Sequence, residues 1–369
     1  MRNFIEKNWT QVNLKKRVFD TQLPCMEIID LKNETKKGNI SPISERLEEE
    51  IKKILDKKKQ AVLFLNKRGV SGSTLCKFCG HKFECPNCSM KMKLHYFKNS
   101  KGLSQKFLCH ICGHIEKFNN NCPQCGEEKF VFKGWGTQSV EEFLYKKFSK
   151  IKVLRADADT ISKKRDFENL LENFHAKKAD VLLGTQMIAK GLDFENVELV
   201  GVILADVGLH LPDFRAEERT FQLLTQVAGR AGRRKNQGKI IIQTYSPEDE
   251  IFNFVKNNDV ENFIIKQMEE RKKMYMPPFS ALAKINFNSP DKVKSFQDTQ
   301  DFFIKIKKNI VKKSKWQCQW APAFFFKKHN KYFYNIFLRS PEKKELINFL
   351  KNIEVPNEAK IDINPASLL

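Results

Sequence analysis

Eight of the ten cysteines stand in four pairs of the form C-x-x-C: Cys76/Cys79, Cys85/Cys88, Cys109/Cys112 and Cys122/Cys125. Eight thiolates suffice for two closed tetrahedral sites, and even pairs at ribbon spacing point to two structural zinc ions. Five residues separate the first pair from the second, a tight span for two knuckles to face one ion, whereas twenty separate Cys88 from Cys109. The expected arrangement is therefore nested, with Cys85, Cys88, Cys109 and Cys112 around one zinc and Cys76, Cys79, Cys122 and Cys125 around the other. Sequential pairing is the competitor, and iron–sulfur ligation would use the same residues, although the spacing favours zinc. Gly80, Gly113 and Gly126 each follow a pair, where a residue without a side chain lets backbone N–H groups turn toward sulfur. With this many thiolates, His81, His95, His110 and His114 are expected to be exposed and not ligands, and Cys25 and Cys318 to be ordinary core or surface cysteines. Closed sites leave no place for water, so the metal holds a shape and the chemistry must lie elsewhere.

Two other stretches carry residues suited to phosphates. In VLLGTQMIAKGLDF, residues 181–194, an apolar strand ends at Gly184 and releases a polar loop. Ligands of open α/β sheets sit at such strand ends. Thr185 and Gln186 can donate to phosphates, Gly191 allows close backbone approach and Asp193 can accept from a ribose hydroxyl, while Lys190 by itself reads as an ordinary loop residue. In QVAGRAGR, residues 226–233, Gly229 and Gly232 end a helix and leave Arg230 and Arg233 in a regular relation. Planar guanidinium forks so placed suit phosphate, and arginines of this kind act as fingers on transferring phosphoryl groups.

The elements that must position these residues follow from apolar periodicity. Ile43, Leu47, Ile51, Ile54 and Leu55 recur at helical spacing in a segment begun by Ser44, with Glu early and Lys late. AVLFL then reads as a buried strand leading into NKRG, and Ser139 with Glu142 reads as the capping box of a second helix. Further on, KVLRAD, DVLLG, LVGVILAD and KIIIQTY alternate with amphipathic stretches, the signature of a parallel sheet covered on both faces. One α/β domain is expected over residues 41–250, interrupted by the cysteine-rich insertion at 71–130 and preceded by a lead-in of little periodicity at 1–40. Residues 251–369 read as a helical connector and a small α+β domain of order β-α-β-β-α-β.

The 369 residues are 41% hydrophobic and 30% charged, with a net charge of +22 that makes nucleic acid the default partner. No run of about eighteen apolar residues could cross a bilayer. The opening MRNFIEKNWTQVNLKK has no apolar core for a secretory signal, so a reducing, cytoplasmic location is expected and disulfides are not.

AVLFLNKRG, the four cysteine pairs, GWGTQ, RADADT, GTQMIAKGLDF, DFRAEERTFQLLTQVAGRAGR and MPPFS occur in an order that resembles the PriA family of primosomal replication-restart helicases. The resemblance covers most of residues 60–280 and is to the carboxyl-terminal half. It implies a RecA-like second lobe of a superfamily-two helicase with a two-zinc, ribbon-like insertion, followed by a small ribosomal-protein-like α+β domain. It further implies ATP-dependent 3′-to-5′ unwinding in replication restart. The motif beginning at Gln226 would supply Arg230 and Arg233 as fingers. GTQMIAKGLDF, with Thr185, Gln186 and Lys190, would couple DNA contacts to ATP, and NKRG, with Asn66 and Arg68, would touch the DNA backbone. The implied partners are forked and single-stranded DNA, primosome proteins and single-strand-binding protein.

The chain has no G-x-x-x-x-G-K-[ST] cradle: GRRKNQGKI, residues 232–240, has one residue too many between its glycines and Ile240 where a hydroxyl should meet magnesium. ILAD, ending at Asp206, imitates an acidic box without a second carboxylate. The arginine-rich pattern implied before the third strand of the last domain appears here as KHNKYFYN. ATP and Mg²⁺ are thus expected to bind only together with a first lobe, carried on a separate chain or lost by truncation. Without one, the chain is expected to be inactive as an ATPase, and a non-catalytic, zinc-dependent DNA-binding and primosome-assembly module is the alternative.

Overall fold

The computed structural model describes residues 24–65, 74–87, 90–99, 102–118, 121–128, 130–131, 136–157, 160–161, 164–189, 195–229 and 238–369. The chain begins with β1 (Cys25–Asp30), α1 (Leu31–Lys36), α2 (Glu45–Asp56) and β2 (Gln60–Leu65). The cysteine segment follows, carrying β3 (Leu75–Cys76), β4 (Lys93–Asn99), β5 (Gly102–Leu108), β6 (Ile115–Lys117) and β7 (Phe130–Val131). The α/β pattern then resumes through α3 (Thr137–Lys147), β8 (Val153–Ala156), α4 (Lys164–His175), β9 (Val181–Gly184), β10 (Val197–Ile203), α5 (Asp206–Leu209), α6 (Ala216–Ala228) and β11 (Lys239–Thr244).

Six of these strands form one parallel sheet in the order β1-β11-β10-β2-β9-β8. β2 and β9 are buried along their whole length, which is why they read as unbroken apolar runs. Alternate residues serve opposite faces. Val62, Phe64, Leu182, Val200 and Ile242 pack with Phe174 of α4 and Phe221 and Leu224 of α6. Ala61, Leu63, Leu65, Leu183, Leu199 and Ile241 pack with Leu47 and Ile51 of α2 and Val140 and Leu144 of α3. Ser44 caps α2 by accepting from Leu47 N–H at 3.2 Å, and its own N–H donates to Gln243 Oε1 at 2.8 Å, tying the helix start to β11.

Two expectations change. The lead-in is not all outside the sheet, because Cys25–Asp30 pairs in parallel with β11 along its full length as the edge strand. The helix expected to start at Ser139 starts at Thr137 after Gly136, and Ser139 is an exposed residue of its first turns. Thr137 is buried and its hydroxyl donates to Asp157, twenty residues on, so a tertiary contact and not a local capping box sets this start.

After α7 (Ile251–Lys256) and α8 (Val260–Lys273), the chain forms β12 (Ala281–Ser289), α9 (Lys292–Ile310), β13 (Gln317–Lys328), β14 (Lys331–Ser340), α10 (Lys343–Asn352) and β15 (Lys360–Ile363). The four strands make an antiparallel sheet in the order β13-β14-β12-β15. Ala283, Ile285, Phe287, Ile336 and Leu338 face Phe302 and Ile306 of α9 and Leu346 and Leu350 of α10. On the other face Leu282 and Phe337 join an apolar cluster with Phe107 and Ile111 of the cysteine segment and Phe214 and Met276. Among the described residues, no helix is long and apolar enough to cross a membrane.

Candidate metal centres and phosphate-facing loops

Two pairings nest the cysteines. The ends of the segment meet where β3 and β7 pair, Cys76 opposite Phe130, and this brings the first and last C-x-x-C turns together. Inside them the antiparallel β4 and β5 return the chain from the second turn to the third. All four turns share one bond, from the first cysteine's N–H to the carbonyl five residues on: Cys76 to His81, Cys85 to Met90, Cys109 to His114 and Cys122 to Glu127, at 2.8–3.0 Å.

The outcome is an outer group of Cys76, Cys79, Cys122 and Cys125 and an inner group of Cys85, Cys109 and Cys112, each with its sulfurs mutually within 4.8 Å. Cys88 lies outside the described residues. Sγ–Sγ separations are 3.6 Å for Cys76–Cys125, 3.5 Å for Cys79–Cys122 and 3.4 Å for Cys85–Cys112. Four sulfurs at about 2.3 Å from one tetrahedral ion would stand about 3.8 Å apart, so the donor sets fit a thiophilic metal. Burial and the neighbouring sulfurs raise the Cys79 thiol well above its ordinary range, and burial with the Cys109 and Cys85 sulfurs pushes Cys112 up to about 12. Such crowding is unfavourable until a cation draws the protons off.

No described histidine belongs to either group. His81 and His114 are half-buried, and only the backbone of His95 is described. His110 departs from the expected exposure: it is 2% exposed, with Nδ1 2.8 Å from the Pro322 carbonyl and its ring edge-on to Phe324. Cys25 is exposed, whereas Cys318 is buried, and that burial pushes its thiol up to about 12.

Two of the phosphate-type stretches follow neighbouring strands of the parallel sheet in sequence. β2 and β9 are parallel neighbours with Phe64 opposite Gly184, so their carboxyl ends lie side by side. Asn66, Arg68, Lys190, Gly191 and Asp193 belong to those segments but lie outside the described residues. Thr185 is half-buried and donates its N–H to the Ala156 carbonyl at 3.3 Å. Gln186, described in its backbone, opens a 3-10 turn whose Ile188 packs with Phe221, Leu224 and Val227 of α6. Gln226 is exposed near the end of α6, and Gly229 closes that helix with an N–H to the Thr225 carbonyl at 3.0 Å. Arg230 and Arg233 fall in the following segment, outside the described residues.

Asp206 is a structural pin, not half of an acidic box. It is 1% exposed and accepts from Thr244 Oγ1 at 2.9 Å and Tyr245 N–H at 3.0 Å, joining the ends of β10 and β11. Burial outweighs those bonds and pushes its carboxyl up to about 6. Asp213, which spacing alone did not single out, accepts from Arg219 at 3.0 Å, the Ser367 hydroxyl at 2.6 Å and Leu368 N–H at 3.3 Å. Its partners at the far end of the chain leave no local signal.

Residues 116–235 match the family described as "Helicase conserved C-terminal domain". Together with the parallel sheet, the match gives the chain a helicase carboxyl-terminal domain over that stretch. Three similar proteins carry the name "Replication restart protein PriA". That of Bacillus subtilis is 43% identical over 77% of this chain and 34% of its own length. Its counterpart in Synechocystis is 34% identical over 97% and 43%, and that of Rickettsia felis 38% identical over 96% and 54%. The chain belongs to the PriA replication-restart family and spans between about a third and a half of the length of these relatives.

Proposed function

We propose that this chain is the carboxyl-terminal half of an ATP-dependent 3′-to-5′ DNA helicase that restarts replication by recognising forked DNA and assembling the primosome. On this reading residues 25–250 form the RecA-like second lobe, with β1 as its edge strand, 71–130 its zinc-binding insertion, and 251–369 a connector and fork-contacting domain. The observation that supports it is the pairing of β2 with β9: the stretch with Asn66 and Arg68 and the stretch with Thr185, Gln186 and Lys190 follow two neighbouring parallel strands in sequence, and the carboxyl ends of such strands are where an α/β sheet meets a phosphate backbone.

The turn after Gly184 packs on α6, so a movement of the DNA-contacting segment is passed to the helix that carries Gln226 and leads into Arg230 and Arg233. Those guanidinium forks would stabilise charge on a triphosphate cradled by another lobe, with Gly191 and Asp193 at the nucleotide. The other lobe must supply the cradle and the magnesium-holding carboxylates. Zinc in the two cysteine groups would supply shape only, since four thiolates leave no open position. Single-strand-binding protein and primosome proteins would meet the insertion and the last domain.

The test combines the purified chain with a separate first lobe bearing the phosphate cradle. Alone, the chain should not hydrolyse ATP. Together they should show DNA-stimulated hydrolysis, which Arg230→Ala and Arg233→Ala reduce by on the order of a thousandfold with DNA binding intact. DNA-stimulated hydrolysis by the chain alone would contradict the proposal. A second reading, a zinc-dependent assembly module, rests on the two cysteine groups and predicts that the arginine variants leave partner loading at forks unchanged.

A further inference from the structure

We infer that the two cysteine groups are separate docking heads, the outer one holding the parallel sheet and the inner one holding the C-terminal sheet, so that metal at the inner group governs where the C-terminal sheet sits. The argument starts from three glycines. Gly80, Gly113 and Gly126 occupy the same place in three C-x-x-C turns, with φ of +76°, +77° and +78°. Each donates its N–H to the first cysteine's carbonyl, at 3.0, 3.0 and 2.8 Å. The left-handed backbone accounts for glycine at all three.

Their surroundings differ. A Cβ on Gly80 would lie 2.7 Å from the Tyr245 carbonyl oxygen, just past β11, and one on Gly113 would lie 2.9 Å from the Trp320 carbonyl oxygen in β13. A Cβ on Gly126 would meet nothing within 4 Å. Two of the three turns are therefore pressed, backbone to backbone, against a sheet, and against different sheets.

Side chains beside each turn repeat the division. Lys82, two residues past Gly80, pairs with Asp249 at 3.1 Å, and Lys32, against the same turn, pairs with Glu248 at 3.0 Å. His110, inside the third turn, reaches the Pro322 carbonyl at 2.8 Å and packs on Phe324. The outer group thus grips the segment after β11, and the inner group grips β13. The inference rests on the thiolate groups holding metal for its regulatory part, while the docking itself rests on geometry alone.

Hydrogen exchange on the full chain, with metal content measured in parallel, tests both parts. Gly113→Ala should speed exchange at Trp320–Phe324 by tenfold or more and leave Tyr245–Asp249 unchanged; Gly80→Ala should do the reverse; Gly126→Ala should move neither. Where a glycine variant sheds metal, His110→Ala and Lys82→Ala, which leave the glycine turns intact, carry the same two expectations. Cys109→Ser, retaining one metal per chain, should behave as Gly113→Ala does. The inference is overturned if Gly113→Ala matches Gly126→Ala, or if either the side-chain variants or Cys109→Ser loosen both docks equally. A wild-type protein without bound metal would sink the metal reading and the regulatory part, and leave the docking result to be judged on the glycine and side-chain variants.

Discussion

The parallel sheet and the cysteine segment hold their loops by different means. In the sheet, β2 and β9 are enclosed on both faces by side chains of four helices, so apolar packing fixes the strands from which its loops depart. The cysteine segment has two- and three-stranded pieces, an exposed β6, and an aromatic core in which Phe107 stacks on Phe83 at 4.1 Å and meets Phe118 edge-on at 5.3 Å. Its apolar cluster is completed by Phe214, Met276, Leu282 and Phe337 of neighbouring elements, and the two sulfur groups offer closures that metal would tighten. The sheet is ordered by packing on both faces, whereas the segment carries two cysteine groups able to hold metal and touches the second sheet.

Stripping the metal should separate the two regions most sharply. Chelation is expected to unfold the cysteine segment, with a loss of order 10 kcal/mol of binding-linked folding energy, while amides of β2, β9 and β10 stay protected in hydrogen exchange. Equal loss of protection in both regions would erase the comparison. The reverse experiment is Leu63→Ala, at a residue 0% exposed in the middle of β2. It should cost about 2–5 kcal/mol in urea unfolding and leave metal content at the wild-type level.

A pH series sharpens the picture of the sheet. Asp206 is raised from its ordinary 3.8 to about 6, chiefly by burial, against the bonds from Tyr245 and Thr244. The folded carboxyl holds its proton more tightly than the unfolded one, so this group costs stability as pH rises from about 4 to about 6, by up to ~3 kcal/mol. Asp206→Asn should remove that slope, so wild type should lose ground to the variant across this window in urea midpoints; parallel curves would contradict it. The smallest effect is expected at Ser44→Ala, about 1 kcal/mol from the lost cap on α2, again with metal content unchanged.

Much of the sheet was readable because its determinants are local. AVLFL and DVLLG are unbroken apolar runs, and Ser44 precedes a clean helical stripe. β1 carries no such local signal, because CMEIID is an edge strand, half-exposed along most of its length and without alternation. The start of α3 departs from the local Ser139 and Glu142 pattern, with Thr137 held at the helix start by its contact to Asp157. In the cysteine segment the nested grouping could be read from chain lengths, since closing a turn is a matter of reach. The burial of His110 could not, because its partner Pro322 lies 212 residues away.

The central claim is that two independent thiolate groups, nested in sequence, brace one bridge between two sheets. Counting metal in the Cys85→Ser/Cys109→Ser double variant tests it most directly, because both changes fall in the inner group and neither touches Cys76, Cys79, Cys122 or Cys125. One metal per chain, against two in the wild type, is the expected result. No metal in the variant, with the parallel sheet still folded, would mean that the pairs join in sequence and that the account of the bridge is wrong.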